Sequence, residues 1–102
     1  MPDAKNTYKI RSRVFLWQGK AAWHFVGIPK EQSDELKKYF GKNARGWGSI
    51  PVTITIGKTT WKTSIFPDKK SGTYLLPLKE IIRKKEKISE GDMLEFLLKV
   101  LT

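Results

Sequence analysis

Apolar and polar residues alternate along most of this chain. The alternation is clearest at residues 8–16, 50–56, 60–66 and 94–100. A period of two residues places apolar side chains on one face of a β-strand and polar side chains on the other. The pattern therefore predicts a mainly β protein in which each strand buries one face.

Two further strands are predicted at residues 21–28 and 74–76, each followed by a proline and a segment with helical spacing. Pro29 is expected to open a helix that ends near Phe40, and Pro77 to open a second helix. Proline cannot donate to a strand ladder but is tolerated in the first turn of a helix. The expected buried residues of the helical segments are Leu36, Tyr39, Phe40, Leu78, Ile81, Ile82 and Ile88.

A strand, a proline, a helix and a further strand thus occur twice in the same order. This order predicts pseudo-repeats at about residues 8–57 and 58–102 that share one core, because so short a unit cannot bury its apolar face alone. A chain of 102 residues is expected to form one domain, residues 1–102. A monomer is sufficient to complete the fold, since both halves lie in one chain.

The charge is strongly unbalanced, with 20 Lys and Arg against 10 Asp and Glu and a formal net charge of +10. Such an excess raises the local concentration of anionic partners, of which DNA or RNA is the first expectation. The alternative is that a lysine-rich surface only keeps the protein soluble.

The residues available for catalysis and metal binding are few. The chain has no cysteine and one histidine, which excludes thiolate chemistry, iron–sulfur clusters and zinc sites made of Cys or of several His. Gly41 and Gly46 have P-loop spacing, but Trp47 and Gly48 stand where Lys and Ser or Thr are required. We therefore expect no catalytic residues, no metal and no cofactor.

Location is predicted from the absence of long apolar runs. The N-terminal segment is polar and charged, and no stretch approaches the length of a membrane span. These features predict a cytoplasmic protein without a membrane partner.

Four segments carry a resemblance to a known family. They are Trp23-His24-Phe25, residues 46–52, residues 60–68 and residues 74–79. Together they resemble the domain-of-unknown-function family numbered nineteen hundred and five. The resemblance implies a double-split β-barrel, formed by two related halves and capped by a helix at each end, and it implies no catalytic residues.

A second resemblance lies in the C-terminal half. Leu76-Pro77, Ile81, Arg83, Ile88, Gly91-Asp92, Leu94 and Phe96 are similar to the core pattern of the AbrB, MazE and MraZ group of DNA-binding proteins. That resemblance implies DNA contacts through basic residues near the sheet surface, although the group's DNA-contacting segment has no counterpart here.

Lys9, Arg11 and Arg13 fall on one face of the first strand, and Phe15 and Trp17 continue that face. Cations neutralise phosphates and aromatic rings stack on bases, so this face is a candidate nucleic-acid interface. The alternative is that the rings turn inward after a bulge and the cations are only solvated. The predicted nucleic-acid-binding residues are Lys9, Arg11, Arg13, Lys62, Lys69 and Lys70.

An alternative function is a small-ligand or protein-binding module with a pocket at the barrel end. The predicted pocket residues are Trp47, Ser49, Ser64 and Asp68. Trp47 is expected either to face a ligand or, in preference, to plug an open end of the barrel. Trp23 and Trp61 are predicted to lie in the core, and the charge run at residues 83–87 is assigned to a solvated helix C-terminus.

Overall fold

The computed structural model describes residues 6–17 and 23–101, which form a barrel with two helices. The strands are β1 (Thr7–Leu16), β2 (His24–Gly27), β3 (Ile50–Ile56), β4 (Thr59–Asp68), β5 (Thr73–Leu78) and β6 (Met93–Val100). The helices are α1 (Lys30–Phe40) and α2 (Glu80–Glu86), and single 3₁₀ turns occupy Gly41–Asn43 and Gly46–Gly48.

The six strands close into an antiparallel barrel in the order β1-β2-β5-β4-β3-β6. Each strand pairs with both neighbours, and β6 returns to β1 over the register Thr7 opposite Lys99 to Arg13 opposite Met93. The closed order gives each described strand a pairing neighbour on both sides over at least part of its length. The predicted mainly β fold with two helices is confirmed at this level.

The barrel interior is filled by the apolar members of each alternating run. In β3 and β6 every second residue is buried, as the period of two predicts. The interior is made chiefly of β-branched and leucine side chains, namely Ile10, Val14, Val26, Ile50, Val52, Ile54, Ile65, Leu76, Leu98 and Val100. Burial of these side chains is the main favourable contribution to folding.

The two helices lie at opposite ends of the barrel. Helix α1 is tied to one end by Ser33, whose hydroxyl donates to the Ile28 carbonyl at 2.9 Å and accepts from the Tyr74 amide at 3.0 Å. Helix α2 is tied to the other end, where the Thr59 hydroxyl donates to Glu86 at 2.6 Å. Tyr74 lies opposite Pro67 near the end of β4, whereas Thr59 is the first residue of β4. The two contacts therefore lie at opposite ends of the barrel.

The pairing pattern is unchanged when the two halves of the chain are exchanged. Replacing β1 by β4, β2 by β5 and β3 by β6 converts every pairing of the barrel into another pairing that is present. Each half also has its helix between its second and third strands. The order of elements is therefore the one expected of two similar halves sharing a core.

Pro77 does not open the second helix, and that prediction is wrong. It lies within β5, opposite Phe25 of β2, and α2 begins at Glu80. The pairing of β5 with β4 ends at Leu75, so the missing amide of Pro77 removes no ladder hydrogen bond on that side. Pro29, in contrast, directly precedes α1 as predicted.

Two residues assigned to the buried sides of the helices are exposed, namely Tyr39 and Ile81. Helix α1 buries only Ser33 and Leu36, and α2 buries only Ile82. A helix that covers the narrow end of a small barrel contacts it along a short stripe, so residues beside the stripe remain in solvent. Within the described ranges, no helix has the length and apolar character needed to span a membrane.

Candidate nucleic-acid interface

A row of three cations follows the outer face of β1. Lys9, Arg11 and Arg13 are exposed, while Ile10 and Val14 point into the barrel. The alternation of this strand therefore places the cations on one outer face, as the sequence predicts. Their side chains project in the same direction from neighbouring positions of one strand.

Two of the cations have neighbouring polar groups that orient them. Arg11 Nε lies 3.3 Å from Glu95 Oε2, with both side chains exposed. Arg13 donates from Nη1 to the Gly91 carbonyl at 2.8 Å. An exposed ion pair stabilises the fold little, so Arg11 can exchange Glu95 for a phosphate at small cost. Arg13 keeps its charge, because a carbonyl partner does not neutralise it.

One more cation adjoins the row on the neighbouring strand. The pairing registers align Thr7, Lys99, Thr53 and Lys62 in one row that runs around the barrel through β1, β6, β3 and β4. Lys99 is exposed on β6 beside the cation row, whereas Lys62 is exposed on β4, which is three strands from β1 in either direction and therefore lies on the opposite side of the barrel. Lys99 was not among the predicted residues, although the alternation of the last strand places it outward.

Four aromatic rings continue the cation row at the far end of β1. Phe15, Trp17, Trp23 and Phe25 form this ring cluster, with Phe25 at its centre. The ring centroid of Phe25 is 6.2 Å from Phe15, 5.6 Å from Trp17 and 6.3 Å from Trp23. The rings of Trp17 and Trp23 are 43% and 62% exposed, so their surfaces are available to a ligand.

The register of β1 and β2 explains why the rings gather outside the barrel. Val14 pairs with Val26 and both are buried, so the next pair, Phe15 and Phe25, points outward. The Trp17 amide donates to the Trp23 carbonyl at 2.8 Å and brings the tryptophans onto the same face. The alternative in which Phe15 and Trp17 turn inward is not adopted, and the prediction that Trp23 lies in the core is wrong.

Trp61 is the other tryptophan that was assigned to the core. It is partly buried and packs against the core cluster. It pairs with the buried Ile54, which places it on the inward face of β4. Trp61 therefore contributes to packing and not to the ring cluster.

Lys69 and Lys70 lie apart from the basic face. They occupy the turn between β4 and β5, at the end of the barrel covered by α1. This turn is held by Asp68, which accepts from the Ser71 amide at 3.2 Å and the Ser71 hydroxyl at 2.8 Å. The predicted nucleic-acid residues therefore lie in three places, namely Lys9, Arg11 and Arg13 on the outer face of β1, Lys62 on the opposite side of the barrel, and Lys69 and Lys70 at the α1 end.

Trp47 is held outside the protein by a tight loop. Its side chain is 92% exposed and its backbone is left-handed, with φ of +65°. The Arg45 amide donates to the Ser49 carbonyl at 2.8 Å, and the Gly48 amide to the Arg45 carbonyl at 2.9 Å. Gly48 also has positive φ, and a Cβ there would lie 3.1 Å from Pro67. The expectation that Trp47 plugs the barrel is wrong.

A groove of about 1130 Å³ runs beside this loop. Trp47 and Asp68 line it together with Lys37, Lys42 and Lys69. Ser49 is buried, and neither it nor Ser64 lines the groove. The four predicted pocket residues are therefore not brought together, although two of them share this groove.

The described residues contain no group of three or more His, Asp or Glu that could hold a metal ion. Burial raises the pKa of the Tyr8 phenol above its ordinary value of 10.0, with Glu35 and Tyr39 adding to the shift. Burial likewise raises the pKa of Tyr74. Both groups are therefore neutral at physiological pH and belong to the core.

The chain matches one family model, described as "Domain of unknown function (DUF1905)", over residues 11–98. A search of curated proteins finds no match. The family match does not test the resemblance to the AbrB, MazE and MraZ group. That resemblance stays a prediction. The matched region includes both helices and at least part of every strand, with the cations and rings of the candidate interface except Lys9 and Lys99. The chain therefore belongs to the DUF1905 family.

Proposed function

We propose that this protein is a non-enzymatic module that binds single-stranded nucleic acid on the outer face of β1. The observation that carries the proposal is the continuation of the cation row by the ring cluster. Lys9, Arg11 and Arg13 lead along one strand to Phe15 and Trp17, and β2 adds Phe25 and Trp23. The cations suit the phosphates of a nucleotide chain, and the grouped rings suit its bases.

The cations and the rings contribute to binding in different ways. Cations bind phosphates largely through the release of condensed counterions, which makes the affinity depend on salt. Rings bind unpaired bases by stacking, worth about 1–3 kcal/mol per base and tolerant of sequence. In a duplex the base faces are already stacked, so the ring cluster favours a single strand.

Lys99 adjoins the cation row on the neighbouring strand β6 and supports a nucleic-acid strand that crosses from β1 to β6. Lys62, on the opposite side of the barrel, and Lys69 and Lys70, at the α1 end, are not part of the proposed interface. We propose a cytoplasmic location, and titrations with DNA and RNA of one sequence identify the preferred nucleic acid.

We also propose that the barrel is a double-split barrel made of two pseudo-repeats, as the resemblance to the DUF1905 family implies. The invariance of the strand pairing under exchange of the halves supports this assignment. The position of one helix between the second and third strands of each half supports it further. Such a barrel is complete within one chain, so a monomer is the expected binding unit.

The test is fluorescence anisotropy of a labelled single-stranded oligonucleotide with wild-type protein and with the double variant Arg11→Glu and Arg13→Glu. The matched control is Lys38→Glu with Lys42→Glu, which makes the same charge change near the other end of the barrel. Loss of two phosphate contacts should lower the log–log salt slope by about 1.4, since each contributes about 0.7 on a single strand. Equal losses in the two variants would contradict the proposed interface.

A second candidate function is binding of a protein partner or small ligand in the groove beside Trp47. It is suggested by the ring of Trp47, which is almost fully exposed next to this groove. A tryptophan held in place by a tight loop loses little conformational freedom when a protein partner or ligand covers it. If this groove binds the nucleic acid, Trp47→Ala should weaken oligonucleotide binding more than Phe25→Ala. Under the primary proposal the order is reversed, with Trp47→Ala leaving the affinity unchanged.

A further inference from the structure

A cavity of about 350 Å³ opens next to the ring cluster, on the outer face of β2 and β5. It is lined by the cross-strand pair of Phe25 and Pro77, which places one flat aromatic ring beside the apolar pyrrolidine ring of the proline. Trp23 forms one wall, and the first turns of α2 form the other. Because Trp23 and Phe25 belong to both features, the cavity is continuous with the ring cluster.

The charged residues of the cavity are cationic on balance. Lys79, Glu80 and Arg83 lie along its α2 wall. Glu80 Oε2 lies 3.5 Å from Lys84 Nζ, so its charge is partly offset by a lysine outside the cavity. Arg83 donates from Nε to the Leu78 carbonyl at 3.1 Å, which anchors the guanidinium at the rim. An anchored planar guanidinium suits a phosphate or the edge of a base.

We propose that this cavity accepts one unstacked nucleobase of the bound single strand, with Arg83 and Lys79 contacting the adjacent phosphate. The inference rests on the proposed function and adds a specific subsite to it. The volume lies near the lower end for small-molecule sites and therefore fits one nucleotide unit rather than several stacked ones. A flat aromatic ring with cations on one side matches a base joined to a phosphate.

The position of the cavity predicts where along the strand this base lies. Cations occupy the first part of β1, rings occupy its last part, and the cavity lies beyond the rings on β2 and β5. A strand that follows β1 reaches the cavity after the ring cluster. The inserted base is therefore near the end of the strand that lies over the rings, and not near the end that lies over Lys9.

The experiment is an abasic scan of a short single-stranded oligonucleotide, in which each nucleotide in turn lacks its base. Affinities are measured for wild-type protein, for Arg83→Gln and for Lys85→Gln. Lys85 is the matched control because it lies on the same helix, carries the same charge, is exposed and does not line the cavity. Arg83→Lys is a second variant that retains the charge, and circular dichroism confirms that each variant is folded.

We expect Arg83→Gln to weaken binding of the intact oligonucleotide about tenfold, in keeping with the loss of one charge-assisted hydrogen bond to a phosphate. At one position near the ring end, removal of the base should abolish the difference between Arg83→Gln and wild type, because the inserted base holds the adjacent phosphate against Arg83. Lys85→Gln should show no such position. Arg83→Lys should bind between wild type and Arg83→Gln.

Two results would overturn the inference. If Arg83→Gln and Lys85→Gln weaken binding equally and no abasic position couples to Arg83, the cavity does not hold a base. In that case the β1 interface still stands if Arg11 and Arg13 remain necessary. If the wild-type protein binds none of the oligonucleotides, both the cavity subsite and the proposed function are wrong.

Discussion

Glu95 is the one acidic residue paired with a cation of the β1 face among the described residues. Its carboxylate lies 3.3 Å from Arg11 and would lie close to a phosphate bound there. We expect Glu95→Gln to raise the affinity for single-stranded nucleic acid about two- to fivefold at low salt, as befits exposed charges that interact by about 0.2–1 kcal/mol. Anisotropy titration measures the change.

Glu31→Gln is the control, since Glu31 is exposed on α1 and its substitution changes the net charge equally. Only the variant on the β1 face should gain affinity. Equal gains would show that net charge, and not the position of Glu95, determines binding.

Trp47 has a backbone conformation that few side chains adopt. Its φ of +65° is left-handed, a conformation that costs most residues about 1–2 kcal/mol and that asparagine tolerates better. Because the ring is 92% exposed, its removal loses little packing. We expect Trp47→Asn to raise the free energy of unfolding by about 0.5–1 kcal/mol in denaturant titrations.

Trp47→Ala is the matched control. Alanine has a Cβ, as asparagine does, but lacks the short polar side chain that can hydrogen-bond locally in the left-handed conformation. It should leave the free energy of unfolding nearly unchanged. A clear loss of stability in Trp47→Asn would show that the exposed ring makes packing contacts important to the fold.

Single residues show how far the sequence predicts the interface. The outward direction of Lys9, Arg11 and Arg13 follows from the alternation of β1, which depends only on local geometry. The ring cluster is only half predicted, since the sequence pattern places Phe15 and Trp17 on the outer face but Trp23 in the core. Its true direction depends on the register of β1 with β2, in which Val14 faces Val26 inside the barrel. Register between strands is a tertiary property.

At the scale of elements, Ser33 links α1 to two strands through one buried hydroxyl. It donates to the Ile28 carbonyl and accepts from the Tyr74 amide, at 2.9 and 3.0 Å. Ser33→Ala leaves both backbone groups without this partner in a buried site. We expect the free energy of unfolding to fall by about 1–3 kcal/mol, measured by chemical denaturation.

Ser71→Ala provides the comparison, because the Ser71 hydroxyl bonds to Asp68 at 2.8 Å in an exposed turn. Water can replace that bond, so its loss should change stability by less than about 0.5 kcal/mol. Similar effects of the two substitutions would mean that Ser33 does not stabilise the junction of α1 with the barrel.

The helices illustrate the limit of prediction from local signals. Pro29 directly precedes α1. Proline has no amide to continue the ladder of β2, and its fixed φ is compatible with the start of a helix. Pro77 carries the same local signal but lies inside β5, where pairing with β2 continues to Leu78. Whether the proline ends the strand or lies within it depends on which neighbouring strand is paired at that position. Local composition does not specify this pairing.

At the scale of the whole molecule, the stability of the barrel should fall at alkaline pH. Burial raises the pKa of Tyr8 and Tyr74 above 10.0, so the folded state favours their neutral form. This contribution is fully present below pH 10.0, where both phenols are neutral in either state. It is lost as the pH rises through the raised pKa values, because the unfolded chain then releases protons more readily.

Unfolding by urea at several values between about pH 8 and pH 11 would measure this loss. The double variant Tyr8→Phe and Tyr74→Phe should show a flatter profile than the wild type, because the two phenols with raised pKa values are then absent. An unchanged slope in the double variant would mean that other groups cause the alkaline loss.

The closed barrel gives the molecule one broad basic face and one ring cluster, within a formal net charge of +10. Net charge alone attracts any polyanion, whereas the ring cluster requires bases that are free to stack. The proposed interface should therefore distinguish a single strand from a duplex, although both carry phosphates.

The most direct measurement compares the affinity of the wild-type protein for one labelled single strand and for the duplex of the same sequence, from low to physiological salt. We predict that both affinities fall log-linearly with salt, and that the single strand stays bound at physiological salt, at least about tenfold tighter than the duplex. Equal affinities at every salt concentration, or loss of both complexes before physiological salt, would contradict the proposed single-strand interface.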